Sequence, residues 1–364
     1  MDNYFKSIGL TKEYKSHSIP CEVCNGEDFI QVLSKARVGS SGVYGELPVC
    51  GCKRCGYIMI NPRYEKQFYV DYYRRIYRTL THGCAKPKDE YIQGQKHRGK
   101  KIADYLERFI SKPGKMLDLG CAAGATMIPF LEKGWDAVGV EPDEACVETG
   151  KKELGLNIHL GDAESINFPE GSFDLILCLG TMEHCYDLNA SMTAVKRSLK
   201  NNGIFLVRNR SEEIFGSVIE YFSNNHYRYF TKQTFELLMA RYGFEIEEFQ
   251  DEPLEDIPGE FYAVARSKYN VSLDVVQKRV SEGFKDDILK RKRYFKRQQE
   301  KFIEKSKYLL GLAQKLDYNY TLLTKEALSG RHDLTIMVEA SPIDAVKRAV
   351  IEAKGALENP IDIL

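Results

Sequence analysis

The sequence of 364 residues predicts an α/β fold in which a mostly parallel sheet carries helices on both faces. The main observation is that short apolar runs alternate with helical stretches between residues 115 and 266. A cysteine-rich stretch precedes this section, and a highly charged helical stretch follows it. We therefore expect four units: a small metal-binding module at 15–63, a helical linker or cap at 64–112, the α/β domain at 113–266 and a mostly helical region at 270–364.

Composition and charge narrow the class of protein. Lys plus Arg and Asp plus Glu each number 52, so the formal net charge is zero. A protein that binds mainly phosphate groups usually has a basic excess, so nucleic acid is not favoured as the main partner. The N-terminal stretch MDNYFKSIGLTKEYKS lacks the apolar core of a signal peptide, and no apolar run approaches the length of about 18 residues that a membrane span needs. These features predict a cytoplasmic protein without a membrane segment.

The cysteine-rich module contains two C-x-x-C pairs. Cys21 and Cys24 form the first pair, and Cys52 and Cys55 form the second. Four thiolates suit a tetrahedral structural Zn²⁺ and leave no open position for catalysis. A redox pair would normally be single and stand at a helix start, but an Fe–S cluster also takes four cysteines, so ligation is better supported than the identity of the metal. Cys50 does not fit the spacing and is expected to be a bystander.

The segment after the cysteines is rich in Tyr and Arg at helical spacing. Tyr69, Tyr72, Tyr73 and Tyr77 could cap a bound cofactor. Packing between helices is the better supported role, because aromatic residues at this spacing usually face a core. We therefore expect this segment to be helical, with most of these rings in the interior.

The α/β domain opens with a strand, a tight turn and a helix. The strand KMLDLG contains Asp118 near its end, and Gly120 and Gly124 follow in the turn. Small residues at such a turn let the backbone approach a ligand closely, with a helix N-terminus facing it. The spacing from Gly120 to Ala125 also imitates a dinucleotide fingerprint. Asp118 distinguishes a cofactor with positive groups from a dinucleotide. A carboxylate attracts sulfonium and ammonium groups and repels the pyrophosphate of a dinucleotide.

Polar residues follow the next three strands. Glu141 ends DAVGVE at the distance, about 20 residues, where an acid can bind two ribose hydroxyls. Asp162 ends the third strand and could meet an adenine edge. The fourth strand, FDLILCLG, leads directly into polar residues, and GIFLVRN is a further strand. Ligands bind at the carboxyl edge of open parallel sheets, so these residues point to one cleft. The intervening helices are predicted at ATMIPFLEKG, DEACVETGKKELG, NASMTAVKRSLK and KQTFELLMARYG.

These ordered motifs resemble the class I S-adenosylmethionine-dependent methyltransferases, which have a Rossmann-like core. The resemblance implies that S-adenosylmethionine is the cofactor. It implies that the methionine part is bound around Asp118, Gly120, Ala122 and Gly124, the ribose by Glu141, the adenine by Asp162 and Ala163, and that Leu179, Gly180 and Thr181 line the site. Ala122 replaces the glycine more usual at this turn, and its methyl group is expected to tighten the pocket. A Rossmann-like scaffold that has lost its ligand is the alternative.

Candidate acceptor-side residues follow the fourth strand. Methyl transfer needs alignment of the acceptor with the methyl group, and a base where the acceptor must lose a proton. Glu183 and His184 stand in TMEHCYD beside the predicted methyl donor, and a histidine that titrates near neutrality could take that proton. A histidine that only packs or is exposed fits the sequence equally well. In the resembling family a histidine and an aromatic residue often lie near the acceptor pocket, which makes His226, with Tyr229, the second candidate, and Asn209 is expected to point the same way.

The cysteine pairs, the stretch YIMINPR and the Tyr-rich linker narrow the resemblance. Together they are similar to zinc-containing methyltransferases of sugar and natural-product pathways. Related deoxysugar C-methyltransferases use a histidine-bearing E-H pair near the methyl donor, which corresponds here to Glu183 and His184. The chain departs from those enzymes after about residue 266, so C-, O- and N-methylation all stay open.

The C-terminal stretch FKDDILKRKRYFKRQQEKFIEKSKYLL contains ten Lys or Arg and four acids. Ile288, Phe295, Phe302 and Leu309 recur every seven residues, which gives a narrow apolar stripe on a basic helix. We expect this helix to pack against the catalytic domain or to form a homodimer contact. Its basic face could also help to recruit an anionic or nucleotide-linked acceptor.

The function predicted from the sequence is S-adenosylmethionine-dependent methyl transfer to a small-molecule acceptor, namely a sugar, nucleotide-sugar or glycan intermediate. An RNA base methyltransferase with a zinc module is the first alternative, although the zero net charge disfavours it. A non-catalytic binding or assembly subunit that keeps the cofactor fold is the second.

Overall fold

The computed structural model describes residues 5–268 except 6–7, 11, 34–36, 39–42, 45–46, 78–83, 85, 211–225 and 251–259. The predictions for 270–364, namely the helical region, its apolar stripe and a dimer contact, lie outside the described residues. Within the described part, none of the helices is both long and apolar enough to cross a membrane.

Short strands build the N-terminal module. They are β1 (Ser16–His17), β2 (Phe29–Leu33), β3 (Arg37–Val38), β4 (Val43–Tyr44), β5 (Val49–Cys52), β6 (Ile58–Ile60) and β7 (Arg63–Tyr64). β5 pairs antiparallel with β2 on one side and with β6 on the other, β1 pairs with β7, and β3 pairs with β4. Val49, Ile58 and Ile60 are buried and pack with Phe5 and Leu10 from the N-terminal segment. The strands of the module therefore contribute to an apolar core that also contains Tyr227 and Tyr229 from later in the chain.

Helices connect the module to the central sheet. They are α1 (Lys66–Tyr72), a π-helical turn (Tyr73–Tyr77) and α2 (Asp89–Leu106). The expectation that the tyrosine rings of this segment lie in the interior is confirmed for Tyr69 and Tyr72, which are buried in an aromatic cluster. α2 packs closely on the turn after the first core strand, because a Cβ atom at Gly99 would lie 2.2 Å from the carbonyl oxygen of Thr126.

A seven-stranded sheet forms the centre of the α/β domain. Its parallel strands are β8 (Lys115–Leu119), β9 (Asp136–Glu141), β10 (Ile158–Leu160), β11 (Phe173–Leu179) and β12 (Leu199–Arg210). The chain then forms β13 (Arg228–Tyr229), which belongs to another sheet, and two antiparallel strands, β14 (Phe244–Gln250) and β15 (Glu260–Ser267). The strand order is β10-β9-β8-β11-β12-β15-β14. The predicted mostly parallel sheet is confirmed, and the antiparallel pair at its end is an addition that the sequence did not indicate.

The sheet is covered on both faces, as the continuous apolar strands predict. The remaining helices are α3 (Ile128–Glu132), which follows a 3₁₀ turn (Ala125–Met127), α4 (Glu144–Lys152), α5 (Leu188–Ser198) and α6 (Lys232–Arg241). Leu175 and Leu177 of β11 face a cluster with residues of α2, α3 and α4. Ile176 and Cys178 of the same strand face the opposite cluster, which contains residues of α5 and α6. Side chains of successive strand residues thus enter alternate layers.

The N-terminal module and the α/β domain share a sheet. β13, which follows the core strand β12, pairs antiparallel with β6 of the module, with Arg228 opposite Met59 and Tyr229 opposite Ile58. Cys21 and Cys52 also lie in the same apolar cluster as α5 and α6. The module is therefore packed into the domain through backbone pairing and a common core.

Candidate functional site

A turn after β8 forms the centre of the predicted cofactor site. Gly120 and Gly124 have φ of +74° and +78°, which glycine adopts without strain. Ala122 also has a positive φ, +49°, so this residue holds a left-handed conformation that costs a non-glycine residue roughly 1–2 kcal/mol. The backbone N–H groups of Gly120 and Cys121 donate to the carbonyl oxygen of Val140 at 2.8 and 3.2 Å. The turn is thereby fixed against the end of β9.

The end of β11 lies directly against this turn. A Cβ atom at Gly120 would lie 2.2 Å from Oγ1 of Thr181, so any side chain there would displace the threonine. Leu179, Gly180 and Thr181 are half-buried at this edge. The structure therefore brings these predicted lining residues to the same edge of the sheet as the glycine turn.

Two buried carboxylates stand at the base of the turn. Glu141 accepts hydrogen bonds from the N–H groups of Ala122 at 2.9 Å and Asp143 at 2.8 Å, so it holds the turn in place. Asp118 is 2% exposed, and burial together with the nearby Glu141 raises its pKa to about 7, although Arg98 acts in the opposite direction. Two acids so close together in the interior suit a ligand with positive charge. These two carboxylates therefore fit the ammonium and sulfonium groups of S-adenosylmethionine.

The predicted adenine-binding residues follow β10 at the same edge. Leu160 is in register with Glu141, and the N–H of Gly161 donates to the Glu141 carbonyl oxygen at 3.1 Å. The Oδ1 atom of Asp162 accepts hydrogen bonds from Glu164 and Ser165 at 3.1 and 2.8 Å. This oxygen shapes the following turn, in which Ala163 is buried. The structure thus places Asp162 and Ala163 beside the residue predicted to bind ribose.

The three predicted catalytic side chains come together beyond β11. Glu183 and His184 form a 3₁₀ turn (Met182–His184), and the His184 and His226 rings meet edge to face with centroids 4.6 Å apart. One nitrogen or oxygen atom from each of Glu183, His184 and His226 lies within 4.8 Å of the other two. His184 is half-buried, whereas Glu183 and His226 are buried. The structure therefore gathers residues that are far apart in sequence into one cluster.

Burial governs the charge states in this cluster. It lowers the pKa of His226 well below the ordinary value, with Arg210 and His184 adding to the effect. It raises the pKa of Glu183, although nearby arginines including Arg208 and Arg210 act against it. The Oε2 atom of Glu183 is buried and has no hydrogen-bond partner among the described residues. Two imidazoles and a carboxylate are donors that a divalent metal accepts, but the surrounding guanidinium groups disfavour a cation.

The sequence offered Tyr73 only as one of four tyrosines that could cap the cofactor, and it did not indicate the contact of Tyr73 with His184. The Tyr73 hydroxyl lies 2.7 Å from Nδ1 of His184, and the Tyr77 ring also faces His184 with centroids 6.0 Å apart. Tyr73 and His184 are 111 positions apart, so no local pattern links them. The signal that was available is the helical register of Tyr69, Tyr73 and Tyr77, which places the three rings on one face.

Asn209 is buried near the end of β12. Its Oδ1 atom accepts a hydrogen bond from the N–H of Arg210 at 2.8 Å, and its Nδ2 atom has no partner among the described residues. The structure therefore buries an amide donor at this position, and a role of Asn209 near the acceptor stays a prediction.

The four paired cysteines converge on one point. The Sγ atoms of Cys21 and Cys55 are 3.5 Å apart, and those of Cys24 and Cys52 are 3.6 Å apart. A tetrahedral site with Zn–S bonds of about 2.3 Å has sulfur atoms about 3.8 Å apart, so the cluster fits such an ion. All four sulfur atoms lie within 4.8 Å of one another. The cysteine cluster predicted from the C-x-x-C spacing is thus present in the structure.

Cys50 lies outside this cluster. Its thiol donates to the carbonyl oxygen of Asn61 at 3.1 Å, and burial raises its pKa to about 11. The bystander role expected from the sequence agrees with this position.

Known proteins resemble the α/β part of the chain. A family model described as a methyltransferase domain matches residues 95–248. The match lies on the α/β domain and covers less than half of the chain. It supports the predicted methyltransferase activity, and the predicted Rossmann-like fold is confirmed.

Relatives match this methyltransferase domain over part of their length. An uncharacterized methyltransferase of Bacillus subtilis, YcgJ, is 34% identical over 99 residues, which cover 26% of this chain and 39% of that protein. A ubiquinone biosynthesis O-methyltransferase of Rhodopseudomonas palustris is 30% identical over 112 residues, which cover 29% of this chain and 44% of that protein. The matched segments thus span less than half of either relative.

A solved structure of a Burkholderia thailandensis methyltransferase also aligns with the chain. It is the 1,6-didemethyltoxoflavin-N1-methyltransferase with bound 1,6-didemethyltoxoflavin and S-adenosylhomocysteine. The TM-score is 0.47 at 16% identity, and the alignment covers 58% of this chain and 96% of that one.

Proposed function

We propose that the chain transfers a methyl group from S-adenosylmethionine to a small-molecule acceptor. The observation that carries this proposal is the meeting of two clusters at one sheet edge. The glycine turn with Asp118 and Glu141 lies at the end of β8 and β9, and the cluster of Glu183, His184 and His226 lies at the end of the neighbouring β11. A cofactor site beside a titratable cluster is what methyl transfer to a protic acceptor requires.

The side chains have distinct roles in this proposal. Bound S-adenosylmethionine supplies an electrophilic methyl group. Asp118 offsets the positive charge of the cofactor, and the positive φ values of Gly120 and Ala122 bring backbone close to its methionine part. In the tautomer whose Nδ1–H donates to Tyr73, the Nε2 atom of His184 carries the lone pair that accepts the proton of the substrate. His226 stays neutral at pH 7 because burial lowers its pKa, so it packs against His184 without repelling its charged form.

We propose a sugar, nucleotide-sugar or glycan intermediate as the acceptor. The support is the similarity of the cysteine pairs, the YIMINPR stretch and the E-H pair to sugar methyltransferases. The guanidinium groups of Arg208 and Arg210 near Glu183 also favour an anionic acceptor or an oxyanion formed during transfer. A phenolic hydroxyl is the second acceptor class, because a ubiquinone biosynthesis O-methyltransferase is among the relatives.

We further propose that Cys21, Cys24, Cys52 and Cys55 hold a structural Zn²⁺. The sulfur spacing supports this proposal. With four protein ligands the ion would have no open position for substrate.

Calorimetry tests the cofactor assignment directly. We expect the metal-replete protein to bind S-adenosylmethionine and S-adenosylhomocysteine at one site per chain. A panel of nucleotide sugars and catechols, assayed with labelled methyl donor, then separates the two acceptor classes. Absence of binding by either cofactor form would refute the proposed function. Binding without transfer to any member of the panel would favour a binding subunit.

Asp118 should make cofactor binding depend on pH. The ordinary pKa of Asp118 is 3.8, and its pKa in the fold is about 7. The protonated carboxyl group therefore stabilises the fold relative to the carboxylate. This contribution to stability is complete below pH 3.8 and is lost as the pH rises through 7. A cationic cofactor prefers the carboxylate, so binding below pH 7 must expel a proton. We expect affinity to fall about tenfold for each pH unit below 7 and to level off above it.

The Asp118→Asn variant checks this dependence. We expect weaker binding above pH 7 and a nearly flat pH profile, with no proton release when calorimetry is repeated in buffers of different ionisation enthalpy. Asp136→Asn is the matched control, because Asp136 is an exposed acid at the start of β9, whereas Glu141 and the cofactor turn are at its end. If Asp118→Asn kept the wild-type pH slope, the linked proton would belong to another group.

A further inference from the structure

A buried ionic cluster joins the cysteine pair to the turn that carries Glu183 and His184. Its centre is Glu22, which lies between Cys21 and Cys24 and is 4% exposed. Arg63 Nη1 and Nη2 donate to the two oxygens of Glu22, both at 3.1 Å. Arg228 Nε donates to Oε2 at 3.0 Å, and its Nη2 donates to Oε1. One carboxylate therefore holds two guanidinium groups, from β7 and from β13.

Both arginines also donate to the catalytic turn, while Nε of Arg63 is buried without a hydrogen-bond partner among the described residues. Arg63 Nη1 donates to the carbonyl oxygen of Tyr186 at 2.9 Å, and Arg228 Nη2 donates to the same oxygen at 3.2 Å. Arg228 Nη1 donates to the carbonyl oxygens of Met182 at 3.2 Å and of Cys185. These carbonyl groups lie on both sides of Glu183 and His184. The backbone of the turn is thus held before and after the predicted catalytic pair.

The charges of Glu22 and the two arginines explain why the guanidinium groups need the carbonyl oxygens of the turn. Two guanidinium groups and one carboxylate leave an excess of positive charge in the interior, and both arginines are almost completely buried. Buried cations need acceptors in good geometry, and here the carbonyl oxygens of the turn supply them. The planar fork of an arginine fixes the directions of its donors, which a lysine ammonium group does not. A shift of Glu22 would therefore move the turn.

Glu22 is itself fixed by the cysteine pair. The N–H of Cys21 donates to the Gly26 carbonyl oxygen at 2.9 Å, which closes the loop around the pair. Arg241 at the end of α6 donates to the carbonyl oxygen of Glu22 at 2.9 Å and to Oδ1 of Asn25 at 3.0 Å. The loop is therefore anchored on the domain independently of the two buried arginines.

We propose that Glu22, Arg63 and Arg228 are positioning residues that set the geometry of the Glu183–His184 turn from the cysteine cluster. This proposal rests on the proposed methyltransferase function. The cysteine module then has a part in catalysis without touching the substrate, because its loop supplies the carboxylate that orients both arginines.

The Arg228→Lys variant tests the positioning role, because it keeps the charge and loses the fork. We expect kcat to fall at least about tenfold, with the KM for S-adenosylmethionine within about twofold of wild type. We also expect faster hydrogen exchange at the amides of His184 and Cys185, which donate within this turn. Glu22→Gln, which keeps the shape and removes the charge, should show the same pattern and serves if Arg228→Lys does not fold.

Arg54→Lys is the matched control. Arg54 is exposed and donates to the carbonyl oxygen of Cys24 in the same cysteine loop at 3.4 Å, without a bond to Glu22 or to the turn among the described residues, so this variant should leave kcat and the exchange of residues 182–186 unchanged. The proposal is overturned if a folded Arg228→Lys or Glu22→Gln protein keeps wild-type kcat, or loses kcat with no change in exchange. If the wild-type protein has no transferase activity, the proposed function fails. Unchanged hydrogen exchange in the Arg228→Lys and Glu22→Gln variants would separately overturn the positioning role of these residues.

Discussion

Replacing His184 with alanine is expected to lower kcat by roughly 10²–10⁴-fold, the usual contribution of a general base. The binding of S-adenosylmethionine should change little, since the cofactor residues are on the ends of β8 and β9. We expect the loss of kcat because His184 would take the proton of the acceptor as the methyl group is transferred. Steady-state kinetics on the accepted substrate and calorimetry with the cofactor measure the two effects separately.

His184 is a better base than its neighbour. A base works best when its pKa lies near the working pH, and burial lowers the pKa of His226 well below that range. His184 is half-buried and has the Tyr73 hydroxyl 2.7 Å from Nδ1, which can fix the orientation of its ring. We therefore expect His226→Gln to lower kcat less than His184→Ala. The reverse order would transfer the base role to His226.

Two further variants serve as controls for His184. His97→Ala removes an exposed histidine from α2 and should leave kcat unchanged. Tyr73→Phe keeps the packing of the ring but removes the hydrogen bond to His184, so a smaller loss of kcat is expected than in His184→Ala. Unchanged turnover in His184→Ala would remove this residue as the base.

The fold could be predicted because its signals are local. β8, β9, β11 and the GIFLV part of β12 are mainly apolar and are followed by polar residues, and the strand–helix alternation predicts that they are parallel. The cysteine cluster could be predicted because C-x-x-C spacing limits where the sulfur atoms can lie. Glu183 and His184 could be predicted because they directly follow a strand of that sheet.

The contacts that complete the site join distant parts of the chain. Glu22 and Arg228 are 206 positions apart, and Tyr73 and His184 are 111 apart. An acid between two cysteines and an arginine in a Tyr-rich stretch look like surface residues when read alone, because charged side chains are usually exposed. The pairing of β13 with β6 brings Arg228 to the cysteine loop, and a strand of two residues such as β13 leaves no period to recognise.

Replacing Cys52 with serine should remove most of the proposed structural zinc and destabilise the N-terminal module. Structural zinc contributes about 10–16 kcal/mol of apparent binding free energy in small zinc domains, so the loss of one thiolate ligand is a large change. Cys52 is fully buried at the end of β5. Atomic emission measures the metal content, and limited proteolysis with thermal unfolding measures the stability of the module.

Cys50→Ser is a close control, because Cys50 stands two positions earlier on the same strand and is also buried. Its thiol donates to the carbonyl oxygen of Asn61, a bond that a serine hydroxyl can keep, so metal content should stay unchanged. Equal metal content in the Cys52→Ser and wild-type proteins would show that the ligand set is wrong. Since β5 also pairs with β6, and β6 with β13, loss of metal should also reach the catalytic turn and lower kcat. Normal kcat in a zinc-free but folded protein would limit the ion to a role in the stability of the module.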